Sequence, residues 1–443
     1  MFLQKNCVII FPKGDEIMIK SIILAAGKGT RMKSDLPKVL HTIFDKTLVG
    51  YVIEAVNKTG LVDENFVIVG HQAERVEEYV KQNCLNSKTV VQSPQLGTGH
   101  AVSMVLPYLE GFEGDVVILC GDTPLITEET IKDFITSHKE KKSDLSVMTA
   151  IFDNPTNYGR IVRNQDNTLN SIVEEKDASL EQKSIKEVNA GIYCLNWAKI
   201  KDAFGQLKTN NAQGEYYLTD IIKWANENSL KVDAFILQNN DEIFGINSKA
   251  HLAEATKILN KRVINKHLEN GVSIVDPDSV WISPETEIAP DTVIYPACYI
   301  NGKNKIGRNC KIGPFAHIRG NVVLEDNVKV GNFVEVKNTT IKSNTNACHL
   351  SYLGDSDIGA NVNIGAGTIT ANYNPLTKEK SRTTIGDNVK IGSNSVIVAP
   401  VELAEGANVA ALSVITKNVP AWALAITRAP LKVLEGWVLK FKK

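Results

Sequence analysis

The 443-residue chain has no excess of charge of either sign: 49 Lys and Arg stand against 50 Asp and Glu, a formal net charge of −1. Nucleic acid or anionic lipid requires a basic surplus, so neither partner is expected. The seven cysteines (Cys7, Cys84, Cys120, Cys194, Cys298, Cys310, Cys348) form no CxxC pair and no closely spaced framework. That pattern argues against a disulfide scaffold or a Cys-ligated zinc, and it points to buried thiols in a reducing cytoplasm. Long hydrophobic runs are missing as well. Near the start only Cys7 to Phe11 is continuously apolar, too short for a signal-peptide core or an integral membrane segment. Residues 1–18 are therefore read as an extension, because patterned sequence begins at Ile19.

The C-terminal part lacks both the 3.6-residue period of helices and the two-residue period of strands. It has a period of six instead. Counting by sixes from Ile288 gives Ile294, Ile300, Ile306, Ile312, Ile318, Leu324, Val330 and Val336, and a second comb runs Ile385, Ile391, Ile397, Leu403, Val409 and Ile415. Short strands turning a corner and stacking coil on coil fit this spacing. Residues 271–443 are expected to form a left-handed parallel β-helix of hexapeptide repeats, with a C-terminal tail. One coil cannot bury its own apolar edge, so stability comes from stacked neighbours. Such prisms often belong to acyltransferases that trimerise and bind their donor between subunits, but some only assemble or regulate, and fold alone does not decide.

The length implies at least two domains. Residues 19–247 alternate apolar runs (Ser21 to Ala25, Phe66 to Val69, Val116 to Leu119) with helical spacing, which predicts a mostly parallel, Rossmann-like α/β sheet covered on both faces. A linker helix is expected over 248–270, capped by Asn247 and Ser248 and stopped by Gly271. Ligands of such a sheet bind at the carboxyl ends of strands.

The first strand ends in LAAGKGTRM, Leu24 to Met32, with Pro37-Lys38 beyond. Gly27 and Gly29 let backbone amides approach phosphate oxygens, while Lys28, Arg31 and Lys38 add positive charge. This is neither a Walker A loop nor a GxGxxG turn; it resembles the sugar-1-phosphate nucleotidyltransferases. After Val116 to Leu119 comes Cys120-Gly121-Asp122, a carboxylate at a strand tip suited to Mg²⁺ beside phosphates. Between them, Gln92 and Gln95 to His100 offer amide groups for a base edge.

Tyr158-Gly159-Arg160, Val173 to Lys176, Asn189-Ala190-Gly191, Gln213 to Asp220 and Gly245-Ile246-Asn247 follow in order. Together with the prism, this set is similar to the bifunctional N-acetylglucosamine-1-phosphate uridyltransferase/glucosamine-1-phosphate N-acetyltransferase family, over nearly all of Ile19 to Lys443. The resemblance implies that Asp122 and Asn247 bind Mg²⁺, and that Leu24, Ala25, Ala26, Gly27 and Lys38 handle the phosphates of UTP. Gln92, Gly97 and Thr98 would read uracil, while Gly159, Glu174 and Asn189 hold the sugar phosphate. No protein nucleophile is needed, because the sugar phosphate attacks the α-phosphorus directly.

Where the comb breaks, between Val336 and Ile358, stands His349-Leu350-Ser351-Tyr352-Leu353-Gly354-Asp355. Acetylating a sugar amine requires removal of a proton, and imidazole suits that task. The resemblance adds Arg319, Lys337, Tyr352, Asn363 and Lys380 for the sugar phosphate. It adds Ala366, Ser393, Ala411 and Arg428 for acetyl-CoA, and an intersubunit site in a cytoplasmic homotrimer acting on small sugar phosphates. Three departures stand out. The loop from Asn372 to Arg382 is about two residues long for the pattern, so Lys378 competes with Lys380; Gly320 replaces a common Pro, which is expected to loosen the turn aiming Arg319; and the prism is shorter by roughly two coils. The rival reading is a single-activity nucleotidyltransferase with a structural or regulatory prism.

Overall fold

The computed structural model describes residues 18–441, so the apolar run Cys7 to Phe11 lies outside the described residues. The chain divides into two compact units between Ala255 and Thr256.

The first unit is built on a nine-stranded sheet. Its strands are β1 (Ile19–Leu24), β2 (Glu64–Val69), β3 (Ser87–Val91), β4 (Asp115–Cys120), β5 (Leu145–Ile151), β6 (Arg160–Arg163), β7 (Leu169–Val173), β8 (Glu187–Asn196) and β9 (Val232–Ile236). The order is β9-β5-β8-β4-β1-β2-β3, with β6 pairing β8 and β7. Successive side chains of one strand enter opposite cores: Ile23, Val67 and Leu119 on one face, Ile22, Ile68 and Ile118 on the other. Helices Leu48–Lys58 and Glu128–Glu140 cover the first face, and Thr98–Ser103 and Asp220–Glu227 the second. Both faces are therefore buried, which is why these strands read as continuous apolar runs.

The sheet is less parallel than expected. β1, β2, β3 and β4 run parallel, but β8 is antiparallel to both β4 and β5. The chain between β5 and β8 carries the hairpin β6–β7 and only a four-residue helix, Leu180–Lys183, so it makes no long crossover and returns in the opposite sense. Strand order reverses at β1, and that opens a crevice at the carboxyl ends of β1 and β4.

In the second unit, three parallel sheets of nine, eight and seven short strands take every third strand in turn. This is the left-handed β-helix, and the comb is its interior: Ile294, Ile312 and Val330 stack in register, as do Ile300, Ile318 and Val336, and Ile306 and Leu324. The corners explain the spacing. A residue with positive φ falls three places past most teeth (Asp291, Asn309, Asn321, Asn327, Asn344, Asn361, Asn388, Asn394), and Asn and Asp enter that region most easily after Gly.

The gap between the combs proves to be filled. Ile341, Leu353, Ile358, Ile364 and Thr370 are buried like the other teeth. The period is disturbed because Val336→Ile341 and Leu353→Ile358 are five-residue steps whose left-handed residues, Asn338 and Asp355, come one place early. A fifteen-residue step, holding an excursion, then leads from Thr370 to Ile385. The helix Lys249–Glu269 ends at Gly271 (φ +85°), and its Asn260 seats it on the first coil by donating to the Val280 carbonyl (2.8 Å) and accepting from Ile282 N–H (3.0 Å).

Candidate functional site

The crevice of the first unit is a cavity of about 440 Å³ lined by Leu24, Ala25, Ala26, Gly27, Lys28, Lys38, Gln92, Gln95, Gly97, Thr98, Cys120, Asp122 and Glu215. It thus gathers residues from β1, β4 and two loops far apart in sequence. A Cβ on Gly27 would meet no atom within 4 Å, so the phosphate loop leaves open space beside its backbone. Gly29 has φ +60°, and a Cβ there would come within 2.6 Å of Lys38 Cβ; its glycine lets Lys38 pack under the loop. The base loop is equally tight. Gln92 Nε2 donates to the Gly97 carbonyl (2.9 Å), Gln95 Nε2 donates to the Ala26 carbonyl (2.5 Å), and Thr98 Oγ1 accepts from Leu218 N–H (3.1 Å).

Asp122 and Asn247 meet across 125 residues of sequence because Ile246 N–H donates to the Asp122 carbonyl (2.9 Å). Lys38 Nζ pairs with the Asp122 carboxylate and donates to Asn247 Oδ1 (3.2 Å). Two hard oxygens therefore converge on one cation position. One carboxylate and one amide oxygen, with the rest left to water and phosphate, is a donor set that suits a small hard divalent ion. No cage of three or more His, Cys, Asp or Glu exists among the described residues.

Gly159, Glu174 and Asn189 also come together. Asn189 N–H donates to the Gly159 carbonyl (2.9 Å), and a Gly159 Cβ would lie 3.5 Å from Glu174 Oε2. A register shift in β8 between Asn189 and Tyr193 makes this possible, with Gly191 at φ +73° and Asn189 Nδ2 donating to the Tyr193 hydroxyl (2.8 Å). Burial pushes the Glu174 carboxyl up, against the opposing pull of the Thr219 hydroxyl that donates to it (3.3 Å). Burial, then the Asp122 charge, pushes the Tyr158 phenol up. Tyr193 is a supporting residue that spacing does not reveal, whereas Thr219 belongs to the Gln213 to Asp220 motif.

On the prism, His349, Ala366, Ser393 and Ala411 occupy the same corner of successive coils, each one place before the left-handed residue. The corner bonds show it: Gly367 N–H to His349 O (3.4 Å), Asn394 to Ala366 (2.7 Å), Leu412 to Ser393 (2.9 Å). Arg428 Nη1 donates to the Ala411 carbonyl (2.9 Å) and closes the column. His349 is exposed, with Nδ1 2.9 Å from Asn332 Oδ1 one coil below.

On the adjoining face Arg319, Lys337 and Gly354 are paired in register, as are Glu335 and Tyr352. Arg319 Nε donates to Glu335 Oε1 (2.6 Å), and Gly320 (φ +60°) is bonded on both sides, to Asn301 and Asn338 (2.9 Å each). The turn at Gly320 uses a left-handed conformation that Pro cannot adopt. The Lys380 amine contacts that of Lys337, and this contact, then burial, lowers the Lys337 pKa. Among the two candidate lysines, it is Lys380 that reaches this cluster, while the Lys378 backbone (φ +60°) turns the loop through a bond to Asn374 O (2.8 Å). The excursion is pinned by Asn372 to Asp355 and by Arg382 to Asp357 (2.8 Å) and to the Asn338 carbonyl (3.2 Å). Asn363 is not brought to this cluster; it stands exposed on the neighbouring face, paired with Asn346 and Lys390.

Residues 20–251 match the nucleotidyl transferase family, and residues 305–338 and 382–417 match the bacterial transferase hexapeptide family of six repeats. Fold and site thus define a nucleotidyl transferase joined to a hexapeptide transferase prism. The chain is 41% identical to the bifunctional protein GlmU of Alkaliphilus metalliredigens (95% of this chain, 98% of the relative), 44% to that of Thermoanaerobacter pseudethanolicus (94% and 97%) and 42% to that of Clostridioides difficile (95% and 97%). It belongs to the GlmU family, whose two transferase activities, acetyl and uridylyl, make UDP-N-acetylglucosamine.

Proposed function

We propose that the two reactions are divided between the two units. In the prism, His349 removes a proton from the amine of glucosamine-1-phosphate as acetyl-CoA is attacked. In the first unit, the phosphate of N-acetylglucosamine-1-phosphate then attacks the α-phosphorus of UTP and pyrophosphate leaves. The observation that carries this reading is the corner column: the candidate base is followed, coil by coil, by three small residues, Ala366, Ser393 and Ala411, and then by Arg428. A thioester arm on a phosphate-bearing nucleotide would lie along these small side chains, with Arg428 toward the phosphates. Arg319, Lys337 and Lys380 would hold the sugar phosphate, and Tyr352 and Asn363 the sugar.

In the nucleotidyl site, Asp122 and Asn247 would hold Mg²⁺, which neutralises phosphate charge when bound. Lys38 and the amides of Leu24 to Gly27 orient the phosphates, Gln92, Gly97 and Thr98 contact uracil, and Gly159, Glu174 and Asn189 fix the sugar. Two observations support a trimer. Phe315, Phe333 and Leu350 form an exposed apolar ridge beside the column, with Phe315 and Phe333 stacked at 5.1 Å, and such ridges are usually covered by a partner. Asn363 and Lys337 lie on different faces, so one sugar reaches both if a second copy supplies one of them. The cytoplasm is the compartment proposed, since Cys84, Cys120, Cys194, Cys298, Cys310 and Cys348 are free thiols. No helix among the described residues is long and apolar enough to cross a membrane.

Thiol release from acetyl-CoA in the presence of glucosamine-1-phosphate tests the assignment. Wild-type chain should free CoA and His349→Ala should not; equal rates in both would overturn the role of His349, and no release by either would remove the acetyl site altogether.

A further inference from the structure

We propose that Asn332 is the positioning residue of the acetyl-transfer base, an inference that rests on His349 being that base. Asn332 pairs with His349 in register from the coil below, and its Oδ1 lies 2.9 Å from His349 Nδ1. An amide oxygen only accepts, so Nδ1 carries the ring proton and the lone pair is left on Nε2. The Asn332 carbonyl also accepts from Leu350 N–H (3.0 Å), and Leu350 is the left-handed residue (φ +48°) that turns the corner after His349. One residue thus fixes both the ring and the backbone that carries it.

The position is specific to this coil. The same corner slot holds Pro296 and Pro314 in the coils below and Ala366, Ser393 and Ala411 above; of these only Ser393 has a side-chain group that can bond an imidazole, and it lies two coils above His349. A neutral amide also suits the task, because it selects the tautomer without the carboxylate charge that would favour imidazolium. In the step itself the nitrogen–carbonyl bond forms as the thioester C–S bond breaks. The amine proton passes to Nε2 and from there to the leaving thiolate, giving the amide and free CoA thiol.

Asn332→Ala should lower kcat for CoA release by roughly 10-fold to 100-fold, the usual range for a ligand-orienting partner, with both KM values unchanged. Asn332→Asp keeps an accepting oxygen, so its kcat should return at alkaline pH while the acid limb of the pH profile moves upward. Thermal unfolding and size-exclusion mobility of the same samples report whether the prism is folded. An unaffected kcat in Asn332→Ala, or an unmoved acid limb in Asn332→Asp, would overturn the proposal. If His349→Ala retains acetyl transfer, the base itself is misassigned; if it is inactive while Asn332→Ala is normal, only the positioning role fails.

Discussion

Replacing Lys380 by Ala removes one of the two amines that touch on the prism face carrying Arg319 and Lys337. In the free chain that contact is unfavourable: Lys380, ahead of burial, lowers the Lys337 pKa from its ordinary 10.5. A phosphate bound between the two amines would turn the repulsion into two charge-assisted hydrogen bonds. Such a bond is worth about 1.5–3 kcal/mol, and solvent around the exposed Lys380 argues for the low end. Since about 1.4 kcal/mol is a factor of ten, Lys380→Ala should raise the KM for glucosamine-1-phosphate about tenfold. The KM for acetyl-CoA and kcat should stay within about twofold, because the lost contact is made equally in the ground and transition states. Lys378→Ala should leave all three parameters near wild type. Steady-state thiol release with each substrate varied in turn measures this. An equal or larger effect in Lys378→Ala, or a loss confined to kcat in Lys380→Ala, would refute the clamp.

Asp122→Ala should abolish divalent-metal-dependent pyrophosphate release from UTP, by at least about 100-fold, while acetyl transfer stays intact; equal loss of both would contradict independent sites. Glu174 has a pKa raised by burial, so the folded first unit binds its proton more tightly than the unfolded chain. Its contribution is favourable below the ordinary value of 4.5 and is lost as pH rises through the higher folded value. Glu174→Gln should therefore raise the Tm of that unit at pH 7, with a gain that shrinks toward pH 4.5, and weaken binding of N-acetylglucosamine-1-phosphate; a lowered Tm at pH 7 would refute the sign. Phe333 is 56% exposed with φ +54°, a conformation Asp tolerates. Phe333→Asp should leave the coil folded, yield monomers on size-exclusion chromatography and lose acetyl transfer but not uridylyl transfer.

Strict periodicity was legible in the sequence because each coil repeats the same burial demand at the same interval. The parallel half of the sheet was legible for the same reason, its strands being buried on both faces. The antiparallel β8 was not, since its direction is set by the hairpin before it rather than by any pattern within Glu187–Asn196. The teeth Ile341 to Thr370 were missed because a one-residue slip looks like the end of a comb, although burial continues unbroken. Motif residues fell together in space where a strand end or a corner fixes them, as with Asp122 and His349. Their supports, Asn332, Glu335 and Tyr193, carry no signature of their own, being ordinary polar residues whose meaning lies in what stands one coil or one strand away.

The irregular steps bring Lys380 to Lys337, and this too can be tested. A strictly six-residue prism presents equivalent corners on every coil, so nothing would single out one for a sugar phosphate. Here the five-residue steps put Asn338 and Asp355 one place early, next to Lys337 and Gly354. Asn338 Nδ2 donates to Asp355 (2.5 Å), and Asn372 and Arg382 grip these two corners at either end of the excursion. Lys380 is carried to Lys337 by a loop whose seat exists only because the corners are short. Inserting one Gly between Asn338 and Thr339 would restore the six-residue step while leaving Val336 and Ile341 as teeth. The prism should still fold, seen as an unchanged size-exclusion profile and an unchanged thermal unfolding transition of the second unit. The loop should lose its seat, and the KM for glucosamine-1-phosphate should rise at least as far as in Lys380→Ala. A normal KM in the insertion variant would show that Lys380 reaches its place by some route other than the shortened corners.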